Sequence, residues 1–169
     1  MDIRALERRD RPQLPGLTAR AIRSGCAGSY TRTQIAAWIR SHDADLVLRA
    51  EQVVVACAGP DVLGFAGVDT RRLVPLRFVF VDPPHWRRGA GRALVQALEQ
   101  VCLDKGLAQI AVAAARHAQA FYASMGYEVV HRLQALLPAA RSGRPDIGVD
   151  VVTMFKPLRP LEVRAQQGR

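Results

Sequence analysis

Phe78-Val79-Phe80-Val81-Asp82-Pro83-Pro84-His85-Trp86-Arg87-Arg88-Gly89-Ala90-Gly91-Arg92-Ala93-Leu94 is the stretch on which the reading of this chain turns. It opens on β-branched and aromatic residues, as a strand does, and Pro83-Pro84 ends that strand because proline brings no ladder donor and holds its predecessor extended. From Gly91 onward, Leu94, Ala97, Leu98 and Val101 recur at helical spacing, and Gly106 stands where a helix C-cap glycine belongs. The pattern is a strand, a basic glycine-containing turn and a helix. Backbone N–H groups at a helix N-terminus lack internal partners and lie at the positive end of the macrodipole, which makes such a turn a receptor for phosphate. Glycines at 89 and 91 let the backbone approach it. Gly-x-Gly by itself is a weak signal that ordinary strand-to-helix turns also carry, so the surrounding elements must decide.

Upstream, Asp2 to Leu6 reads as a short strand, followed by helices over Gln13 to Ser24 and Thr33 to Ile39, with Thr31 or Thr33 as a cap and Gly25 to Tyr30 as the turn between them. Val53 to Cys57 and Val62 to Val68 flank Gly59-Pro60-Asp61 and read as a hairpin, with Leu73 to Val81 the third strand of that sheet. Downstream, Leu107 to Ala114 is a strand, His117 to Ser124 a short helix stopped at Gly126, and Tyr127 to Arg132 and Val149 to Phe155 two closing strands around a Pro/Gly/Arg loop. The expected order is β-α-α-β-β-β-α-β-α-β-β.

The 169 residues suffice for one core and not for two, and 49% hydrophobic with 23% charged residues is a globular balance. We expect one domain over residues 1–161 and a disordered tail over 162–169. No apolar run approaches the roughly 20 residues that cross a bilayer, so no membrane association is expected. The arginine-interrupted N-terminus lacks the apolar stretch of a secretory signal, which makes the cytoplasm the expected location. Cys26, Cys57 and Cys102 are odd in number and widely spaced, which predicts reduced thiols and no metal site. The net charge of +9 comes almost wholly from arginine, only Lys105 and Lys156 being lysines. A phosphorylated ligand, an acidic substrate or nucleic acid would each suit that charge, but the arginines are scattered and not interleaved with aromatics, so nucleic acid is not the expected partner.

The turn resembles the acyl-CoA-binding signature of the GNAT superfamily of N-acetyltransferases, R/Q-x-x-G-x-G/A after a strand ending in V-x-P. Val81, Pro83, Gly89 and Gly91 match in register, while Trp86 stands at the R/Q position and arginines follow at 87 and 88. A second segment, Ala115-Arg116-His117-Ala118-Gln119-Ala120-Phe121-Tyr122-Ala123-Ser124-Met125-Gly126-Tyr127, is similar to the family's N-x-x-A-x-x-F-Y-x-x-x-G-F/Y, with Ala118, Phe121, Tyr122, Gly126 and Tyr127 in place and Ala115 at the asparagine position. Two motifs in the right order, separated by a helix and a strand, are hard to obtain by chance.

The resemblance implies an α/β fold of the GNAT acyl-CoA N-acyltransferase type, a mixed, mostly antiparallel twisted sheet flanked by helices. It implies an enzyme that uses acetyl-CoA as co-substrate and transfers the acetyl group directly to a primary amine. The cofactor would be held by Phe80 and Val81 on the strand, by the turn Arg87, Arg88, Gly89, Ala90, Gly91, Arg92 and Ala93, and by Ala118 and Phe121. Tyr122 would be the catalytic group near the departing sulfur, its alternative being a core aromatic. Tyr30 and Trp38, bracketing a helix with Gln34, would wall the amine acceptor, although Trp38 could equally close the core. Asp43 and Asp45 would favour a cationic amine, whereas Arg23, Arg32, Arg40, Arg71 and Arg72 would favour an anionic acceptor. The strand before the turn holds no acid to act as base, and Asp69 and His85 are substitutes only by sequence proximity. A homodimer suits the family, though no residue pattern specifies one. The rival readings are an acyl-CoA-binding protein that has lost turnover, suggested by Trp86, Ala115 and the missing acid, and a basic nucleic-acid-binding module.

Overall fold

The computed structural model describes residues 1–42, 49–138 and 145–159. Asp43, Asp45, the expected domain end near Leu161 and the tail beyond it lie outside the described residues. The chain runs β1 (Asp2–Ala5), α1 (Leu14–Cys26), α2 (Arg32–Ser41), β2 (Gln52–Ala58), β3 (Asp61–Val68), β4 (Leu76–Val81), α3 (Ala90–Asp104), β5 (Gln109–Ala115), α4 (Gln119–Ala123), β6 (Glu128–Leu137) and β7 (Ile147–Pro157). This is the element order expected from the sequence. One seven-stranded sheet results, ordered β1-β2-β3-β4-β5-β7-β6. All neighbours pair antiparallel except β4 with β5.

Alternation along the strands divides the core between the two sheet faces. Val54, Ala56, Ala66, Leu76, Val112, Ala114, Val152 and Met154 face α3 and α4, meeting Leu94, Leu98, Cys102 and Tyr122. Val53, Val55, Phe65 and Phe78 face α1 through Leu14 and Leu17, and Val149 and Val151 face Ile22, Cys26 and Trp38. Leu94 and Leu98 are wholly buried, so cutting either to alanine would cost about 2–5 kcal/mol. Thr31 caps α2, its hydroxyl accepting from Gln34 N–H at 3.2 Å. All three cysteines are buried and unpaired. Among the described residues no helix is long and apolar enough to cross a membrane.

Several boundaries depart from the sequence reading for physical reasons. β4 begins at Leu76, not Leu73, which is 98% exposed. The intervening residues form a turn in which Asp69 N–H donates to Pro75 O, while the buried Asp69 carboxylate pairs with the exposed Arg71 and Arg72. β6 runs to Leu137, beyond the expected Arg132, because its edge position leaves nearly every side chain exposed and erases the alternation that marks a half-buried strand. A 3-10 helix at Arg8–Gln13, not expected from the sequence, is held by Asp10, which accepts from Glu7 N–H and pairs with Arg4.

Candidate functional site

β4 and β5 pair at a single point, Leu76 with Val112, after which the two parallel strands part. What β4 presents to that gap follows from its pairing with β3. Val81 lies opposite Gly64, and Asp82 N–H donates to Leu63 O at 2.9 Å. In an antiparallel ladder the residues that exchange bonds alternate with those that do not, so Phe80 and Asp82 bond towards β3 while Val79 and Val81 turn their N–H and C=O groups into the gap. The main chain of Phe80, named from the sequence, is thus engaged with β3 opposite Phe65. Its ring sits on the α1/α2 face against Phe65, Phe78 and His42. Val79, which stepping two residues back from Val81 would have found, takes the groove position.

Past β4 the chain makes a short 3-10 turn, Pro83–His85, and then reverses through two left-handed residues, Arg87 at φ 60° and Gly89 at φ 87°. Arg87 is the one non-glycine residue with positive φ among those described. Gly89 is the N-cap of α3 and offers no side chain to its first turn. The first bond of that helix runs from Ala93 N–H to Gly89 O at 3.0 Å, so the amides of Ala90, Gly91 and Arg92 precede it and point outward. A Cβ at Gly89 would meet nothing within 4 Å. Open space therefore lies over the amides. Arg87, Arg88 and Arg92 are exposed beside them, and Arg87 and Arg88 make no ion pair with the described residues. Bare amides, a helix dipole and unpaired guanidiniums make this turn suited to an anion.

Trp86, at the departure from the family pattern, is 40% exposed, and its indole Nε1–H donates to Val81 O at 2.7 Å. The indole therefore lies on the groove side of β4. The strand end is also anchored from α1, where Arg20 donates to both oxygens of Asp82 at 2.9 and 2.6 Å and holds that carboxyl below its usual range.

The second motif comes to the same place. A Cβ on Gly91 would stand 3.3 Å from Cζ of the Phe121 ring and 3.5 Å from Cγ2 of Val81. Thus the strand end, the helix start and α4 meet closely around Gly91, where an added methyl would press on the Phe121 ring. Arg92 adds a bond to Ser124 O at 3.4 Å, and Ala118 packs half-buried against the same core. Two segments about thirty residues apart converge on one groove. A model of the acetyltransferase (GNAT) family matches residues 18–127, which include both segments.

The chain belongs to the GNAT acetyltransferase family.

Its fold is shared with solved N-acetyltransferases. A GCN5-related N-acetyltransferase from Rhodopseudomonas palustris is 22% identical, with 92% of this chain and 94% of that one covered and a TM-score of 0.80. The PaiA N-acetyltransferase from Thermoplasma acidophilum, solved in complex with coenzyme A, is 19% identical over 92% and 98% of the two chains, with a TM-score of 0.69. Ribosomal-protein-alanine N-acetyltransferase from Brucella melitensis is 21% identical over 93% and 99%, with a TM-score of 0.60. No curated protein matches the chain by sequence.

Among the remaining site candidates of this GNAT chain, Tyr122 is buried and packs edge-on against Phe121 and Tyr127 at 5.0 and 5.4 Å. Its hydroxyl has no hydrogen-bond partner among the described residues, and burial raises its pKa, keeping it protonated through the neutral range. Tyr30 and Trp38 stand edge to face at 5.2 Å. The Tyr30 hydroxyl donates to Asp150 O at 2.6 Å and accepts from Arg116 N–H at 2.8 Å, which ties the α1–α2 turn to the ends of β5 and β7. Trp38 is 9% exposed in the core. Gln34 donates to Gly148 O at 2.7 Å. Tyr30 and Gln34 therefore spend their polar atoms on holding α2 to β7. His42, not singled out from the sequence, has its ring 5.3 Å from that of Phe80, with Nδ1 3.0 Å from Trp38 O. Asp69 lies at the Leu76 end of β4, away from the turn, and its bond from Arg71 holds its carboxyl at about 2, which makes it a poor base.

Proposed function

We propose that this protein is an acetyl-CoA-dependent N-acetyltransferase that passes an acetyl group directly to a primary amine. The observation that carries the reading is the convergence of Val81, Gly91 and Phe121 on a groove into which β4 turns the N–H and C=O of Val79 and the N–H of Val81. In this reading Val79 and Val81 pair with the amide-rich pantetheine arm as an added strand would, and the amides and arginines of residues 87 to 93 hold the diphosphate. The thioester supplies the acetyl group. The chain's own task is to align it, exclude water and supply a proton to the sulfur as the C–S bond breaks and the amine nitrogen takes the acetyl carbon. Tyr122, protonated by virtue of its burial, gives its proton to the sulfur, and the proton shed by the amine nitrogen returns to the tyrosine through solvent. Half-buried Tyr30 is the ring that walls the acceptor, and Trp38 backs it edge to face from the core. Unpaired buried thiols accord with a reducing, cytoplasmic setting.

The test is calorimetric titration with acetyl-CoA, followed by a thiol-release assay over a panel of amines. Binding lost in Gly89→Glu, with turnover of at least one amine, supports the reading. Failure to bind refutes it. A second reading, an acyl-CoA-binding protein without turnover, is favoured by the absence of any acid along β4 and by the engaged carboxylate of Asp69. Binding without turnover of any amine would select it.

A further inference from the structure

We propose that Trp86 contacts the bound acyl carrier, its indole forming the wall of the β4 groove where strand passes into turn. The proposal rests on the acyl-CoA reading above and concerns a residue at which this chain departs from the family pattern. Two observations carry it. Val81 O is one of the main-chain groups that the pairing with β3 turns into the gap, and the indole N–H holds that oxygen at 2.7 Å. The ring is therefore fixed on the groove side and not over the outer surface of the turn. It is also 40% exposed, which is unusual for the largest apolar side chain when its N–H is already satisfied. A tethered ring with an open face, one residue before a turn bearing two unpaired arginines, offers a surface to a ligand that carries both an amide chain and phosphate.

The tether changes what the groove can recognise. With Val81 O occupied, β4 presents to an incoming chain the N–H and C=O of Val79 and the N–H of Val81, two donors and one acceptor. Such a ligand must supply carbonyl oxygens more than N–H groups at that end and rest its apolar part on the indole. A pantetheine diphosphate meets both demands through its amide carbonyl and its gem-dimethyl segment. This chain replaces the Arg or Gln of the family pattern with an indole. Binding at this position therefore draws on ring contact.

The chain has two tryptophans, and Trp86→Phe leaves Trp38 as the remaining one, so the difference between the two titrations isolates the emission of Trp86. Titrating the full-length protein with acetyl-CoA should change tryptophan emission in wild type and leave it flat in Trp86→Phe, in which Trp38 remains. Calorimetry should give a Kd raised about tenfold in Trp86→Ala, and by clearly less in Trp86→Phe, which keeps a ring and loses only the N–H. If the side chain serves only as a latch on Val81 O, the two variants weaken binding equally and wild-type emission does not respond. That pattern overturns the proposal while leaving the acyl-CoA reading intact. Absence of any calorimetric binding in wild type overturns both. Thermal melting of each variant guards against loss of fold, and because the residue is exposed we expect both to melt close to wild type.

Discussion

Alanine at Gly89 isolates what the left-handed N-cap of α3 contributes. At φ 87° an L-residue suffers a clash between Cβ and the backbone worth about 1–2 kcal/mol, partly offset by about 0.4–1 kcal/mol from the stiffer unfolded chain. A Cβ there meets nothing within 4 Å, so no packing cost is added and the net loss is about 1 kcal/mol. For a chain of 169 residues that is a fall in Tm of about 2–4 °C. Gly106, beyond the other end of α3 at φ 83° and also with nothing within 4 Å, is the matched control. Gly106→Ala should cost the same stability. The two variants should part in ligand binding, because the open space above Gly89 is where a phosphate would sit. Losing its approach to the amides forfeits a charge-assisted bond, roughly ten- to a hundredfold in the Kd for acetyl-CoA. Asparagine tolerates the left-handed region, so Gly89→Asn should recover most of the stability and none of the affinity. Differential scanning calorimetry and isothermal titration on the four proteins read both quantities. Equal affinity losses at Gly89 and Gly106, or wild-type binding by Gly89→Asn, would refute the reasoning.

Tyr122→Phe should lower kcat by roughly ten- to a hundredfold while leaving acetyl-CoA affinity and Tm unchanged, since the lost hydroxyl has no partner among the described residues; steady-state kinetics with calorimetry check this. Among the described residues the buried Tyr127 hydroxyl has no partner within hydrogen-bonding geometry, and the Glu99 carboxylate beside it is taken by Lys156, so Tyr127→Phe should leave Tm unchanged or raise it slightly, read by thermal melting. Asp69, paired first with Arg71, and Glu51, bonded first to Lys105 and then to Thr70, are both held at about 2 in the folded protein. A folded pKa below the unfolded value of about 4 gives stability that is complete above pH ~4 and drains away as pH falls towards 2. Urea melts across that window should show the loss, and Asp69→Asn should flatten part of it.

What could be read from residues alone was what depends on neighbours in the chain. Pro83-Pro84 ends a strand, Leu94, Leu98 and Val101 mark one helix face, and a helix that starts at a glycine cap bares amides by the geometry of the peptide unit. These local rules, together with the second motif at 115 to 127, sufficed for the element order and for the glycine turn that opens α3. They misplaced Leu73, whose turn depends on an Asp69 carboxylate that captures arginines, and shortened β6, whose edge position removes the hydrophobic alternation. Nor could they say that Val79 and not Phe80 faces the groove. That follows from register, and register is a property of two strands at once, set here by Gly64 lying opposite Val81. The role of Tyr30 was hidden for the same reason, since its partners Asp150 and Arg116 are 120 and 86 residues away. The parting of β4 from β5 beyond Leu76 appears in neither strand's sequence. It is a relation between two strands separated by the whole of α3, so nothing local to either one encodes it.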